Sequence, residues 1–284
     1  MAVARHESGV LGAGKALASQ VHPVFMLPPL ATSLFGAVLA GAADLAVAGL
    51  HALAMFFAVY TAHVKDGYVD FHVRGEDDDH PLTVGGCRGA LLVSATGFLA
   101  CTVGLWLLVS PLAALVTAPT WVIGYTHAPQ LDLNPVGATM GYPAGIALAL
   151  LGGYYAQATS FGPQVLGLAG VFLCMLTGIK IIDDETDFDY DSSIDKRTVA
   201  VVLGPRRARR LALGLFGLAM VGVVALAVAL PGIPPTAAGG AAVFGAVLAV
   251  AYRAEPKLAT MLLIRGSYLF LAVLVAAVWF RPLA

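Results

Sequence analysis

Long apolar runs broken by short polar joints organise this chain from end to end. A transmembrane helix needs about 20 mostly apolar residues, and runs of that kind cover 21–43, 45–63, 89–109, 111–125, 137–157, 163–182, 211–230, 236–252 and 258–280. Pro28, Pro29, Pro111, Pro119 and Pro143 interrupt several of them. A helical bundle tolerates such breaks because neighbouring helices re-satisfy the backbone groups that proline frees. The pattern predicts an all-α, integral membrane bundle of nine transmembrane helices. No linker or low-complexity tract divides the chain, so residues 1–284 read as a single domain.

Composition agrees with the pattern. The chain is 59% apolar and only 12% charged, with a mean hydropathy of +0.84, whereas a soluble domain carries about 25% charged residues. Soluble, disordered and collagen-like classes are excluded. Three cysteines (Cys87, Cys101, Cys174) are too few for a disulfide framework. They fall in or beside apolar segments without CxxC or Cys/His spacing and read as small buried hydrophobes. A net charge of −1 carries no signal for a nucleic-acid partner.

The placement of charge says more than its sum. With nine spans, the N-terminus and every second loop lie on one side, and that side collects Arg5, Lys15, Lys65, Arg74, Arg88, Lys180, Lys196, Arg197, Arg206, Arg207, Arg209, Arg210, Arg253, Lys257 and Arg265, leaving Arg281 opposite. Positive residues concentrate in cytoplasmic loops. The expected location is therefore the cell membrane, with a cytoplasmic N-terminus and an external C-terminus. The first twenty residues lack the continuous apolar run of a cleaved signal peptide and are expected to form a retained amphipathic or loose segment. The Arg206–Arg210 run reads as a topology signal and a contact for anionic lipid headgroups.

Two of the cytoplasmic loops are long and acidic. After the second run come Asp66, Tyr68 and Asp70, and then Glu76, Asp77, Asp78 and Asp79. Residues at i and i+4 share a helix face, so Asp66 and Asp70 would point together. After the sixth run, Asp183, Asp187, Asp191 and Asp195 form an i+4 series, followed by Lys196, Arg197 and Thr198. Like charges at that spacing repel, so the stripe calls for a cation. Carboxylates are hard ligands suited to Mg²⁺, which is commonly held by one or two carboxylates together with substrate phosphates. Lys196 and Arg197 would then bind phosphate oxygens, Lys as a point charge and Arg as a fork. Asp184, Glu185 and Asp189 fall off the stripe and take outer roles, while Asp77–Asp79 read as a solvated loop over the site.

With these motifs in place, the chain resembles the UbiA superfamily of intramembrane aromatic prenyltransferases, which have nine transmembrane helices and two Asp-rich motifs. Asp66 stands where the family's first motif usually has Asn, and Asp70 stands at its Asp. The second motif is matched by Asp183, Asp187, Asp191 and Lys196-Arg197-Thr198. Segments around Tyr125-Thr126-His127 and Gly152-Gly153-Tyr154-Tyr155 are similar to the menaquinone-type branch, which prenylates dihydroxynaphthoate. The resemblance implies Mg²⁺ held by Asp66, Asp70, Asp183, Asp187 and Asp191. It implies a polyprenyl diphosphate donor and a lipophilic or aromatic acceptor within the membrane lipids. Its catalytic residues would be Asp66, Asp70, Asp183 and Asp187. Lys196, Arg197, Tyr68 and Tyr125 would bind substrate, and Tyr154 and Tyr155 are further candidates to stabilise an allylic cation by cation–π attraction. His63, His72 and His127 are candidate bases. The same chemistry on a glycerol-lipid or carotenoid acceptor is an alternative. A divalent-cation transporter is the alternative of another class, and it expects ionisable groups deep within spans, of which there are almost none.

Overall fold

The computed structural model describes residues 2–194 and 196–281. Helices dominate it: α1 (Gly9–Ala18), α2 (Pro23–Leu39), α3 (Leu45–Gly67), α4 (Val84–Leu108), α5 (Pro111–Thr126), α6 (Pro135–Ala158), α7 (Pro163–Thr186), α8 (Phe188–Ser193), α9 (Val199–Leu203), α10 (Pro205–Ala229), α11 (Gly239–Ala251) and α12 (Pro256–Phe280). Extended pairing among the described residues is limited to one antiparallel bridge, Ala4 to Leu82. Each apolar run of the sequence falls on a helix. Four of the starts carry side-chain caps: Asp44 on α3, Thr83 on α4, Ser110 on α5 and Asn134 on α6 all accept from first-turn N–H groups.

The chain is an integral membrane protein. By length and apolarity six helices can cross a bilayer, and the pair α1–α2, bent by 67°, makes a seventh if taken as one broken span. Of the nine runs expected to span, those on α5 and α11 fall outside this number, because these helices have only 16 and 13 residues. At 1.5 Å per residue α5 is about 24 Å long, short of a hydrocarbon core of about 30 Å.

The prolines of α2 show how the bundle repairs itself. Pro28 and Pro29 have no N–H to offer the carbonyls of Val24 and Phe25 one turn earlier. The Tyr268 hydroxyl of α12 donates to Val24 O, and the Tyr142 hydroxyl of α6 donates to Phe25 O at 2.8 Å. Both orphaned carbonyls are thus satisfied by neighbouring helices. On the same face, Gly36 of α2 and Gly153 of α6 let the backbones touch: a Cβ at Gly153 would collide with the Ser33 carbonyl, and one at Gly36 with the Leu150 carbonyl.

α2 packs on α3, α6 and α12, α7 on α6, α10 and α12, and α3 on α4 and α5. Phe172, Phe216, Phe244 and Phe270, one each from α7, α10, α11 and α12, form the aromatic centre of the C-terminal half, with ring centroids 5.5–6.4 Å apart. Apolar side chains on outer faces, such as Leu107 and Val228, are exposed, as lipid-facing positions must be. α3, α5 and α7 end where α4, α6 and α10 begin, and at that end of the bundle the charged groups gather.

Candidate active site

α3 does not stop with the last apolar residue. It continues to Gly67 and widens into a π-helical turn over Tyr68–Arg74, a distortion frequent at functional sites. The turn closes at Gly75, whose φ of 66° suits glycine. Asp66 lies on the final α-helical turn and Asp70 on the π turn, both half-buried. Arg74 curls back over this segment, its guanidinium 3.6 Å from Asp70, 3.7 Å from Glu76 and 3.2 Å from Asp132. Asp132 follows α5 and is only 6% exposed.

The second cluster is built on the end of α7. Lys180 Nζ sits 3.1 Å from Asp183 Oδ2 and also donates to Asp184 Oδ1. Asp184 is buried and accepts from Thr139 Oγ1 at 3.2 Å, and Thr139 in turn accepts from the Val199 N–H at 3.1 Å. These bonds lock α6, α7 and α9 together. The i+4 series of Asp183, Asp187 and Asp191 is not carried by one continuous helix: α7 ends at Thr186 and the backbone turns at Asp187 (φ −103°, ψ 12°) before α8. Acids at a helix C-terminus oppose its dipole, and at this end of α7 Lys180 offsets them by pairing with Asp183 and Asp184. The Asp191 N–H nevertheless donates to Asp187 O at 2.8 Å, which keeps the two in register. Asp195, the last member of the expected stripe, lies outside the described residues.

Asp191 is the most deeply buried of the expected ligands. Its residue is 1% exposed, neither carboxylate oxygen has a hydrogen-bond partner, and Lys196 Nζ stands 3.4 Å from Oδ1. Burial pushes this carboxyl above the usual range, against the pull of Lys196. A buried, hydrogen-bond-free carboxylate is the donor a hard cation would satisfy. Asp183 is half-buried, and Asp187 and the Arg197 side chain are exposed.

Lys196 and the α8–α9 connection bring the second motif up to the first. Asp66 lies in the field of Asp132, Lys196, Arg74 and Asp77. Tyr190 of α8 lies in that of Glu76, Asp70 and Lys196. The Arg197 N–H donates to Asp132 O at 3.0 Å, pinning the α8–α9 connection to the α5–α6 connection. Among the described residues, no three of these carboxylates bring oxygens within 4.8 Å of one another. Tyr68 and Tyr125 are gathered around Lys65, whose Nζ is 5.9 Å and 5.0 Å from their ring centroids. Tyr154 and Tyr155 are not brought to this end: they sit near the far end of α6, where Tyr154 accepts from Gln164 and Tyr155 lies 3.3 Å from Ser110.

Sequence reasoning missed Asp132 as a site residue, counted Arg74 and Lys180 only as topology charges, and put Asp184 in an outer role. Arg74 and Asp132 could not be linked from sequence, since they are 58 residues apart. For Lys180 and Asp184 the i+4 spacing was a readable signal.

The model of the UbiA prenyltransferase family matches residues 26–259, most of the chain and both acidic clusters. The chain belongs to the UbiA prenyltransferase family. Solved structures agree on the fold. A structure of digeranylgeranylglyceryl phosphate synthase superposes with a TM-score of 0.74 at 12% identity, over 95% of this chain and 99% of that one. A UbiA homologue from Archaeoglobus fulgidus bound to GPP and Mg²⁺ gives 0.69 at 16% identity, over 95% and 99%. The apo UbiA homologue from Aeropyrum pernix K1 gives 0.67 at 19% identity, over 93% and 100%. No curated protein matches this family member.

Proposed function

We propose that this protein transfers a polyprenyl group from an allylic polyprenyl diphosphate to a lipophilic or aromatic acceptor within the membrane, with Mg²⁺ at the acidic end of the bundle. One observation supports the reading: Lys196, 3.4 Å from Asp191 of the second motif, also lies in the field of Asp66 of the first, whose neighbour Asp70 pairs with Arg74, so the two acidic motifs approach one another at one end of the bundle. Among the described residues no three of these carboxylates converge on one point by themselves. That spacing suits Mg²⁺ completed by substrate phosphate oxygens and water. The A. fulgidus homologue bound to GPP and Mg²⁺ lends the same reading support by fold.

Asp66, Asp70, Asp183, Asp187 and Asp191 would hold the ions, which when bound neutralise the diphosphate leaving group and favour C–O cleavage. Lys196 supplies a point charge to the phosphate oxygens, and Arg197 a fork on the solvent side. Tyr68 and Tyr125 present π-faces to Lys65 beside the first motif. Each face would stabilise an allylic cation by about 0.5–2 kcal/mol. The surrounding helices keep bulk water from quenching it. The acceptor is assigned to the quinone-precursor class on the segments around Tyr125 and Tyr154-Tyr155. Nine crossings, with α5 and α11 as short members, put the acidic end and the N-terminus in the cytoplasm by the positive-inside rule.

The test is product formation by purified protein with geranylgeranyl diphosphate and Mg²⁺ against dihydroxynaphthoate, other aromatic acids and a glycerol-lipid acceptor. A prenylated dihydroxynaphthoate is expected. A product only with the glycerol lipid would move the acceptor class, and Mg²⁺-independent release of diphosphate would overturn the metal assignment.

A further inference from the structure

Beside the first carboxylate cluster, His72, His80 and Cys87 converge. One ligand atom from each lies within 4.8 Å of the others, and among the described residues this is the one set of three or more such side chains so placed. His72 comes from the π turn, His80 from the loop after it and Cys87 from the first turn of α4. His80 and Cys87 are buried, at 4% and 0% exposure.

The groups around the set leave donors unused. His80 Nε2 is buried with no hydrogen-bond partner. Its other ring nitrogen, Nδ1, lies 3.2 Å from both Leu82 O and Leu82 N. His72 Nε2 lies 3.0 Å from the same Leu82 carbonyl. A metal-bound histidine typically gives its second ring N–H to a backbone carbonyl, and one carbonyl here faces both rings.

We infer that His72, His80 and Cys87 bind a zinc-class divalent cation, separate from the Mg²⁺ site and chemically unlike it. Imidazole and thiolate are borderline-soft ligands that suit Zn²⁺ and leave Mg²⁺ to the carboxylates. Bonds of about 2.0–2.1 Å to nitrogen and 2.3 Å to sulfur in a tetrahedron require ligand atoms about 3.3–3.8 Å apart. The observed spacing reaches that with side-chain shifts of about 1 Å. Three protein ligands leave the fourth position to a solvent molecule.

The position suggests a clamp. Arg5 reaches Asp79 and the His80 carbonyl at 2.8 and 2.9 Å, its guanidinium lies 4.3 Å over Phe71, and Ala4 bridges Leu82. An ion here would tie the π turn carrying Asp70, the N-terminal strap and α4 into one unit. From sequence Cys87 read as a small buried hydrophobe because its partners belong to other elements.

Cobalt(II) tests this in full-length protein stripped of metal in detergent, since a thiolate bound to cobalt gives a charge-transfer band that carboxylates cannot. The expected result is a saturable site with that band and tetrahedral d–d intensity, displaced by Zn²⁺ and not by excess Mg²⁺. Cys87→Ser should abolish the band, and His72→Gln should weaken binding by at least the roughly 10–100-fold that loss of even an outer partner costs. Cys101→Ser should leave the band unchanged. Absence of a thiolate band in monodisperse wild-type protein, or its persistence in Cys87→Ser, would overturn the assignment. His72→Gln decides if Cys87→Ser does not fold. Neither outcome bears on prenyl transfer, which rests on the carboxylates.

Discussion

Replacing Asp191 with Asn tests whether the buried carboxylate is there for a cation or for the fold. Without metal, Asp191 is a 1% exposed acid with no hydrogen bond and one ion-pair partner at 3.4 Å. An unsatisfied buried acceptor costs about 1–3 kcal/mol, and a charged one more. Asn keeps the shape and removes the charge, so metal-free Asp191→Asn should melt at or above the wild-type temperature. With Mg²⁺ and a prenyl diphosphate at 100 times Kd, ligand linkage stabilises the wild type by about 2.7 kcal/mol. At about 2–4 °C per kcal/mol that is a shift of about 5–10 °C. The variant should lose most of it.

The pH dependence gives a second handle on the same group. Folding raises the Asp191 carboxyl, so the folded state holds this proton more tightly than the unfolded state does. Metal-free stability is then highest on the acid side and falls as pH rises from the unfolded carboxylate range through the raised folded range. Asp191→Asn lacks that slope. Thermal scans by intrinsic tryptophan fluorescence across pH, with and without Mg²⁺, read both effects. A metal-free variant melting several degrees below wild type, or one that keeps the full Mg²⁺ shift, would refute the reasoning.

Three further outcomes follow from the geometry. Arg74→Gln strands the buried Asp132, and breaking such a pair costs about 3–5 kcal/mol when fully buried. With Arg74 partly exposed the loss of stability should be smaller, and Asp132→Asn added to it should recover part in a double-mutant cycle; strictly additive losses would argue against the pair. Lys180→Met leaves Asp183 and Asp184 facing each other without their cation; because Lys180 and Asp183 are partly exposed, the protein should be destabilised by less than the about 3–5 kcal/mol of a fully buried pair, Asp184→Asn should recover part of the loss, and an unchanged melting temperature would count against the bridge. Tyr142→Phe with Tyr268→Phe uncovers the two carbonyls freed by Pro28 and Pro29, at about 0.5–1.5 kcal/mol per bond; if the tyrosines do not serve those carbonyls, the pair of changes will be neutral in thermal melts.

Much of the architecture was legible because apolar runs report directly where backbone can be buried in lipid. Boundaries were less so. α3 runs past His63 to Arg74 through its π turn because hydrogen bonding continues after hydrophobicity stops, and it is this polar extension that carries Asp66 and Asp70. The acidic motifs could be read as candidates from spacing alone. Their helical continuity could not, because the break at Asp187 depends on the balance between a charge-opposed helix end and the Lys180 contacts. Asp132 was silent in the sequence as an isolated loop acid; only the fold brings Arg74 and the Arg197 N–H to it.

The central claim is that the two carboxylate clusters act together on a metal–diphosphate complex. Diphosphate release from geranylgeranyl diphosphate by wild type, Asp70→Asn and Asp187→Asn, each shown to be folded in the same detergent and titrated with Mg²⁺, measures this directly. The account predicts Mg²⁺-dependent release by wild type and at least about a hundredfold loss in each variant, equivalent to about 2.7 kcal/mol of transition-state stabilisation. Wild-type rates in either variant, or release that does not respond to Mg²⁺, would contradict it.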